Sequence, residues 1–356
     1  MAEGGTRSAA VVGTGLIGGS IGLALRDRGW HVTGHDRDPA RAERAKELGA
    51  VDAVGRTPDV EVTFVATPTG SVAEEVRAAL AAGAPLVTDV GGVKGPVVDL
   101  VDDARFVGGH PMAGSEQEGI DAARPDLFEG AAWVLTPGPA TDDHAYARLA
   151  GIVSSLGADV IALEPHRHDA LVATVSHVPH LTAATLMRLT QDRATEQRAL
   201  LRLAAGGFRD MTRVAAGQPA MWLDICDDNR SAIVEVLDHL IEELGETRDA
   251  VAKGDREGLS DALEQARTAR VSLPGRYRRP DEMAEVRVPI ADEAGMVARV
   301  ATLASDLGVN IADLEIAHSS EGDRGVLILV VERDDADALR DALAGDGHQP
   351  SVHGLG

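Results

Sequence analysis

The stretch Val11-Val12-Gly13-Thr14-Gly15-Leu16-Ile17-Gly18-Gly19-Ser20 decides how the first part of this 356-residue chain folds. It sets G-x-G-x-x-G directly after a β-branched run, Ala9–Val12, and at the head of a helical pattern, Ile17–Arg28. Gly13 permits the tight turn, Gly15 lets backbone approach a pyrophosphate, and Gly18 lets helix pack on strand. Leu16 and Ile17 then open a helix whose N-terminal N–H groups and dipole favour an anion. The fingerprint alone is weak, and its context strengthens it. A second run, His31-Val32-Thr33-Gly34-His35, ends in Asp36, 18 residues after Gly18. A carboxylate there accepts hydrogen bonds from ribose hydroxyls and repels a 2′-phosphate, so NAD is expected rather than NADP. Arg37, the next residue, is the one group that argues for the phosphorylated cofactor.

Outward from this unit the same alternation continues. Further β-branched runs occupy Val62–Thr67, Pro85–Asp89, Arg105–Gly108, Ala132–Thr136 and Asp159–Ala162, and helical stretches occupy Ala40–Leu48, Ser71–Ala82 and Asp143–Leu156. Strand–helix alternation argues for a parallel sheet covered on both faces, an α/β Rossmann domain over residues 1–165. After Pro165 the strands stop. Residues 166–275 read as helix, with breaks expected at Val178-Pro179, Gly206-Gly207 and Gly217-Gln218-Pro219, so an all-α domain follows. Ser272-Leu273-Pro274-Gly275 and Arg276-Tyr277-Arg278-Arg279-Pro280 read as a linker. Residues 282–356 resume the alternation on a smaller scale as an α+β unit of order βαββαβ.

Bulk properties narrow the class. Hydrophobic residues at 44% and charged residues at 26% are ordinary for a soluble globular chain. The 34 basic and 57 acidic residues leave a net charge of −23, which argues against nucleic acid or an anionic membrane as partner. One cysteine, Cys226, cannot form an intrachain disulfide, so a reducing, cytoplasmic setting is expected. The uncharged run Ala9–Leu25 carries five glycines and falls short of the ~20 apolar residues a membrane span needs, so it reads as fold and not as anchor.

Ligands of such a sheet sit beyond the carboxyl ends of its strands. Those ends carry Thr67-Pro68-Thr69, Asp89-Val90-Gly91-Gly92-Val93-Lys94 and Gly109-His110-Pro111-Met112-Ala113-Gly114-Ser115-Glu116. Thr67, Pro68 and Gly91 therefore join Gly13, Gly15, Leu16, Ile17, Gly18 and Asp36 as expected cofactor contacts. His110 is one of twelve histidines, and its position after a strand between glycine and proline singles it out. No residue set is assigned to a metal.

His110-Pro-Met-Ala-Gly-Ser-Glu116, Ser176-His-Val-Pro-His180 and Gly207-Phe-Arg-Asp-Met-Thr-Arg213 together resemble the prephenate and arogenate dehydrogenases of tyrosine biosynthesis. The resemblance covers residues 9 to about 270 and implies a Rossmann domain followed by a helical dimerisation domain, hence a homodimer. It implies hydride transfer from C4 of a cyclohexadiene to NAD, loss of the 4-hydroxyl proton and departure of the ring carboxylate as CO2. On that resemblance His110 is the base, a role for which a neutral imidazole is suited near neutral pH. Ser115 and Glu116 hydrogen-bond or gate the same site. Arg213 matches the arginine that holds a substrate carboxylate in a planar fork. Asp210 accompanies it, and His180 and His177 line the pocket. One departure stands out: many relatives carry a serine where this chain has Gly92, and that serine orients the histidine and meets the substrate hydroxyl.

Residues 285–353 resemble an ACT domain, in the stretches Asp292-Glu-Ala-Gly295-Met-Val-Ala-Arg and Leu307-Gly-Val-Asn-Ile311. That resemblance implies an aromatic amino-acid effector near Asp292, Gly295 and Asn310. Prephenate is the expected substrate, because Val214-Ala-Ala-Gly-Gln-Pro219 offers no acid to meet the ammonium of arogenate. Arogenate and dual specificity remain open, as does an NAD-binding amino-acid sensor without turnover. Phosphoglycerate dehydrogenases also join a Rossmann domain to an ACT module, but their nucleotide domain lies well inside the chain, unlike a fingerprint that begins at Gly13.

Overall fold

A computed structural model describes the chain except for residues 1–6, 115–116, 118, 195–199, 273–281, 292–294, 319–323 and 355–356. The chain forms two compact units, residues 1–203 with 208–255, and residues 204–207 with 256–356.

The first unit is built on strands β1 (Ser8–Val12), β2 (His31–His35), β3 (Ala53–Val54), β4 (Val62–Val65), β5 (Val87–Asp89), β6 (Phe106–Pro111), β7 (Ala132–Thr136) and β8 (Asp159–Ala162). They lie in the order β3-β2-β1-β4-β5-β6-β7-β8. Helices α1 (Leu16–Asp27), α2 (Pro39–Glu47), α3 (Thr69–Ala81), α4 (Gly95–Leu100) and α5 (Asp143–Ser155) connect them. Strand β4 is buried along its whole length, and its successive side chains enter different cores. Phe64 packs with Ile21, Leu25, Trp133 and Leu149, whereas Val65 packs with Val72, Val76, Val87 and Val97. That alternation places one hydrophobic layer on each face of the sheet. Helices α2 and α5 start where side chains take up free N–H groups: Asp38 accepts from the Ala40 N–H, and Asp142 from those of His144 and Ala145.

The sheet is not wholly parallel, as the alternation predicted. Strands β6 and β7 pair antiparallel, Gly108 opposite Thr136 and Pro111 opposite Trp133. A parallel pair needs a long crossover, usually helical. Among the described residues between these strands only the 3-10 turn Ile120–Ala122 is regular.

The helical layer comprises α6 (Pro165–Val172), a π turn (Ala173–His177), α7 (Val178–Ala194), α8 (Gly206–Thr212), a 3-10 turn (Arg213–Ala216), α9 (Pro219–Asp228) and α10 (Arg230–Lys253). Glu164 caps α6 by accepting from the N–H groups of His166 and Arg167, with Pro165 at the first helical position. The expected break at Val178-Pro179 does not occur. The helix runs on through a π turn in which the Val178 N–H donates to the Ala173 carbonyl. Proline lacks the N–H that an unbroken α ladder would use, and a π register relieves the clash of its ring with the preceding turn. The 29-residue run Pro165–Arg193 is long and apolar enough by composition to cross a membrane. In this fold its Val172, Ala173, Val178 and Ala183 are buried. Ala173 and Val178 join Ile225, Ile233 and Val93, which brings the β5–α4 loop against the helices. Cys226, beside this cluster, is a free thiol that burial pushes up from its ordinary value.

The second unit contains α11 (Arg256–Val271), β9 (Met283–Ala291), α12 (Met296–Asp306), β10 (Asp313–His318), β11 (Arg324–Glu332), α13 (Arg333–Gly345) and β12 (Ser351–Gly354). The strands form one antiparallel sheet in the order β10-β11-β9-β12. Ala284, Val286, Val288 and Ile290 alternate along β9 and pack with Leu327, Leu329 and Val331 of β11 beneath Val300 and Ala304 of α12 and Leu339 and Leu343 of α13.

Candidate active site

The strand order reverses between β1 and β4, and the turn after β1 lies at that reversal. Gly13 has φ +95°, and a Cβ there would stand 2.4 Å from the Ala66 carbonyl oxygen, so only glycine lets the two strand ends close together. At Gly18 a Cβ would collide with the Gly13 carbonyl at 1.9 Å. Gly15, by contrast, faces open space, and α1 begins there with no side-chain cap and no acid in its first turn. Leu16 and Ile17 supply its first N–H groups. The Thr14 N–H donates to Asp36 Oδ2 at 2.9 Å, and the Asp38 N–H donates to Oδ1 at 3.0 Å, which leaves Oδ1 with further acceptor capacity. Among the described residues Thr67 Oγ1 is buried without a partner, and Pro68 is the residue from which α3 starts. The Gly91 N–H donates to Asp89 Oδ2 at 2.8 Å. An open cradle at a helix N-terminus, an accepting carboxylate and an orphaned hydroxyl fit a dinucleotide.

His110 stands near the end of β6. A Cβ on Gly92 would lie 3.8 Å from its Nε2, so this nitrogen faces the space a larger residue would fill. Its Nδ1 lies 2.9 Å from His168 Nε2, and His168 Nδ1 lies 2.8 Å from Asp169 Oδ1. Asp169 is itself fixed by the N–H groups of Lys94 at 2.8 Å and Gly95 at 2.7 Å. Beneath the site Lys94, fully buried, pairs with Asp89 and donates to the Gly109 carbonyl at 2.9 Å. Burial lowers the Lys94 ammonium, and Asp89 counteracts it. Burial also pushes His110 well below 6.5, and His168, Lys94 and His177 push the same way, so His110 is neutral at physiological pH.

The contacts continue into the helical layer. Asn229 Nδ2 donates to the Asp169 carbonyl at 2.8 Å and to His177 Nδ1 at 3.1 Å. Burial lowers His177 to about 4. The Trp222 ring meets His177 edge-on at 6.1 Å and stacks on His180 at 3.5 Å with an interplanar angle of 10°. Burial lowers His180, and its hydrogen bond to the Val214 backbone works in the opposite sense. That bond seats the Arg213–Ala216 turn on His180, and a Cβ at Gly217 would stand 3.0 Å from the same ring.

The fold thus gathers His110, His177 and His180 and the turn that opens with Arg213 into one connected region. Arg213 is exposed at the turn, and Asp210 is exposed on α8. Ser115 and Glu116 lie outside the described residues, as does Asp292. In the second unit Gly295 precedes α12 with φ +95° and Asn310 is exposed after it. Among the described residues no group of three or more His, Cys, Asp or Glu is placed to hold a metal ion. The sequence pattern assigns no role to His168, Asp169, Asn229, Trp222 or Lys94. Locally the His168–Asp169 pair is unmarked, because it follows two further polar residues, His166 and Arg167, in the same short helix just past the last strand of the sheet.

Comparison with known proteins agrees with this order of domains. The nucleotide-binding domain of prephenate dehydrogenase, as a family model, matches residues 21–162, and the dimerization domain matches residues 164–265. The prephenate dehydrogenase of Bacillus subtilis is 33% identical over 341 residues, covering 91% of this chain and 92% of that protein. The cyclohexadienyl dehydrogenase of Zymomonas mobilis is 32% identical over 280 residues, covering 74% and 95%. Among solved structures, Aquifex aeolicus prephenate dehydrogenase in complex with hydroxyphenyl propionate and NAD+ superposes with a TM-score of 0.71 at 27% identity, covering 76% of this chain and 99% of that one. Synechocystis arogenate dehydrogenase gives 0.65 at 31% identity, covering 74% and 98%. The chain belongs to the prephenate dehydrogenase family of NAD-dependent oxidoreductases.

Proposed function

We propose that the chain oxidises and decarboxylates prephenate to 4-hydroxyphenylpyruvate, with His110 as the base. The observation that carries this reading is the placement of His110, whose Nε2 faces the free space beside Gly92 and whose imidazole burial holds well below its ordinary value. NAD, when bound, supplies the hydride acceptor. His110 takes the 4-hydroxyl proton as the C4–O bond gains double-bond character, and it can return that proton to the phenolate oxygen once the ring carboxylate has left as CO2. A half-buried imidazole held well below its ordinary value is available for this work at pH values where an exposed histidine is partly protonated. Arg213 holds a substrate carboxylate, and His180 and His177 line the pocket beside the stacked Trp222. By the resemblance, Ser115 and Glu116 are assigned to hydrogen-bond or gate the site, and Asp210 to join Arg213 in binding substrate.

Prephenate is favoured over arogenate because the turn Arg213–Ala216 and the following Gly217-Gln218-Pro219 carry no acid for an ammonium. The domains are read as residues 1–165, 166–275 and 282–356. The last is read as an ACT-like module taking an aromatic amino acid near Asp292, Gly295 and Asn310, on the strength of its βαββαβ order. Homodimerisation through the helical layer is supported by the exposed Leu223, Ile241, Leu244 and Val251 on α9 and α10. A lone cysteine accords with a cytoplasmic setting.

The test is product formation from prephenate and from arogenate, each with NAD and with NADP. Prephenate with NAD should give the highest kcat/KM. A kcat/KM for arogenate more than about tenfold higher would reassign the substrate.

A further inference from the structure

We infer that His168 and Asp169 form a positioning pair that fixes the tautomer of His110 and thereby makes Nε2 the atom that accepts the substrate proton. The inference rests on the reading of His110 as base and adds which of its two nitrogens works, and why.

The argument starts at the carboxylate, which can only accept. Asp169 Oδ1 lies 2.8 Å from His168 Nδ1, so His168 Nδ1 carries a hydrogen and donates it. In a neutral imidazole the other nitrogen is then an acceptor. His168 Nε2 faces His110 Nδ1 at 2.9 Å, so His110 must donate from Nδ1. Its remaining nitrogen, Nε2, keeps its lone pair and points at the space beside Gly92, 3.8 Å from where a Cβ would be. The tautomer of the reacting residue is thus decided two residues away.

The pair is held rigidly enough to impose this. His168 is fully buried and Asp169 nearly so. Asp169 also accepts from the N–H groups of Lys94 and Gly95 at the head of α4, while its own carbonyl accepts from Asn229 Nδ2 at 2.8 Å. Gly95 is what allows that approach, since a Cβ there would stand 2.9 Å from Asp169 Oδ2. The rings of His110 and His168 cross at 78° with centroids 5.1 Å apart, an edge geometry in keeping with an in-plane N–H aimed at a lone pair.

The same arrangement serves the charged state. When His110 takes up a proton at Nε2, its Nδ1–H goes on donating to His168, and Asp169 supplies the nearest negative charge along the hydrogen-bond chain. Asp89 is neutralised by Lys94. Lys94 and His177 oppose a charge on His110. In this chain, where Gly92 has no side chain, the hydrogen bond from Nδ1 to His168 orients the ring.

The test is 15N NMR of histidine-labelled full-length enzyme with NAD, the His110 signals identified by their loss in His110→Asn. A protonated Nδ1 and an unprotonated Nε2 are expected on His110. Protonation at Nε2 in the wild type would overturn the inference. Kinetics give an independent reading: His168→Phe should lower kcat by about 10²-fold with the Kd for NAD unchanged, and His168→Gln, which keeps an acceptor, should recover part of it. Equal kcat in wild type, His168→Phe and His168→Gln would also overturn it. Failure of the base assignment itself looks different, because His110→Asn would then keep its kcat whatever the tautomer.

Discussion

Gly92 and His110 face each other so closely that a single methyl group added to Gly92 would stand 3.8 Å from His110 Nε2, an ordinary van der Waals contact. A side chain at residue 92 therefore controls access to that nitrogen. Gly92→Ser should fold normally and stay active, because its hydroxyl fits the gap and can hydrogen-bond the imidazole. Gly92→Leu should fill the gap and lower kcat/KM for prephenate by about tenfold or more, with NAD affinity kept. Steady-state kinetics with NAD titration checks both, and unchanged kinetics in Gly92→Leu would refute the placement of the substrate hydroxyl there.

The glycines of the first turn separate folding from binding. Gly13→Ala puts a side chain at φ +95° and 2.4 Å from the Ala66 carbonyl, so it should lose both stability and NAD affinity. A Cβ added at Gly15 meets no atom within 4 Å among the described residues, so Gly15→Val should leave Tm close to wild type. Its side chain would nonetheless occupy the pyrophosphate cradle, so the Kd for NAD should rise. Thermal melts and NAD titrations distinguish the two, and a Gly15→Val variant that binds NAD normally would remove the cradle from the account.

Lys94 and Asp89 are both fully buried, and each is the other's charge partner. Lys94→Met would strand the Asp89 carboxylate inside the sheet and should cost about 3–5 kcal/mol, read from urea denaturation. Adding Asp89→Asn should recover part of that loss. A neutral Lys94→Met variant would mean that the pair contributes nothing to folding.

Stability should also depend on pH in a defined window. His177 is lowered from 6.5 to about 4, and His110 is lowered well below 6.5. Each is neutral in the folded chain while the unfolded chain binds about one proton more per residue below pH 6.5, so folding weakens as pH falls toward 4, by roughly 1.4 kcal/mol per pH unit per proton. Above pH 6.5 the contribution is fully present. His177→Gln should flatten the dependence, which denaturation at a series of pH values will show. For the same reason the acid limb of kcat/KM should lie below pH 6.5.

Much of this was legible in the chain itself. Gly13 and Gly18 are legible by spacing, because a tight turn and a close helix–strand approach each demand glycine, and Asp36 by its place just past the end of a strand. His110 is marked by its place near a strand end, although the strand runs on through Pro111, beyond the Gly108 expected. His168 and Asp169 are not, because their importance comes from a contact across 58 residues to His110 and across 75 to the Lys94 N–H. Trp222 and Asn229 are hidden for the same reason, Trp222 meeting His177 from α9 and Asn229 from the junction of α9 and α10. The unbroken passage through Pro179 escaped the pattern because a π turn, invisible in propensity, absorbs the missing N–H. The antiparallel β6–β7 pair escaped it because strand direction depends on the path of the connection, which periodicity does not encode.

The most direct measurement of the central claim is the turnover of His110→Asn with prephenate and NAD. The substitution keeps a polar side chain in place but removes the proton-accepting nitrogen. The account predicts a fall in kcat of about 10²–10⁴-fold with the Kd for NAD within about twofold of wild type. A kcat like that of the wild type would contradict the assignment of His110 as the base.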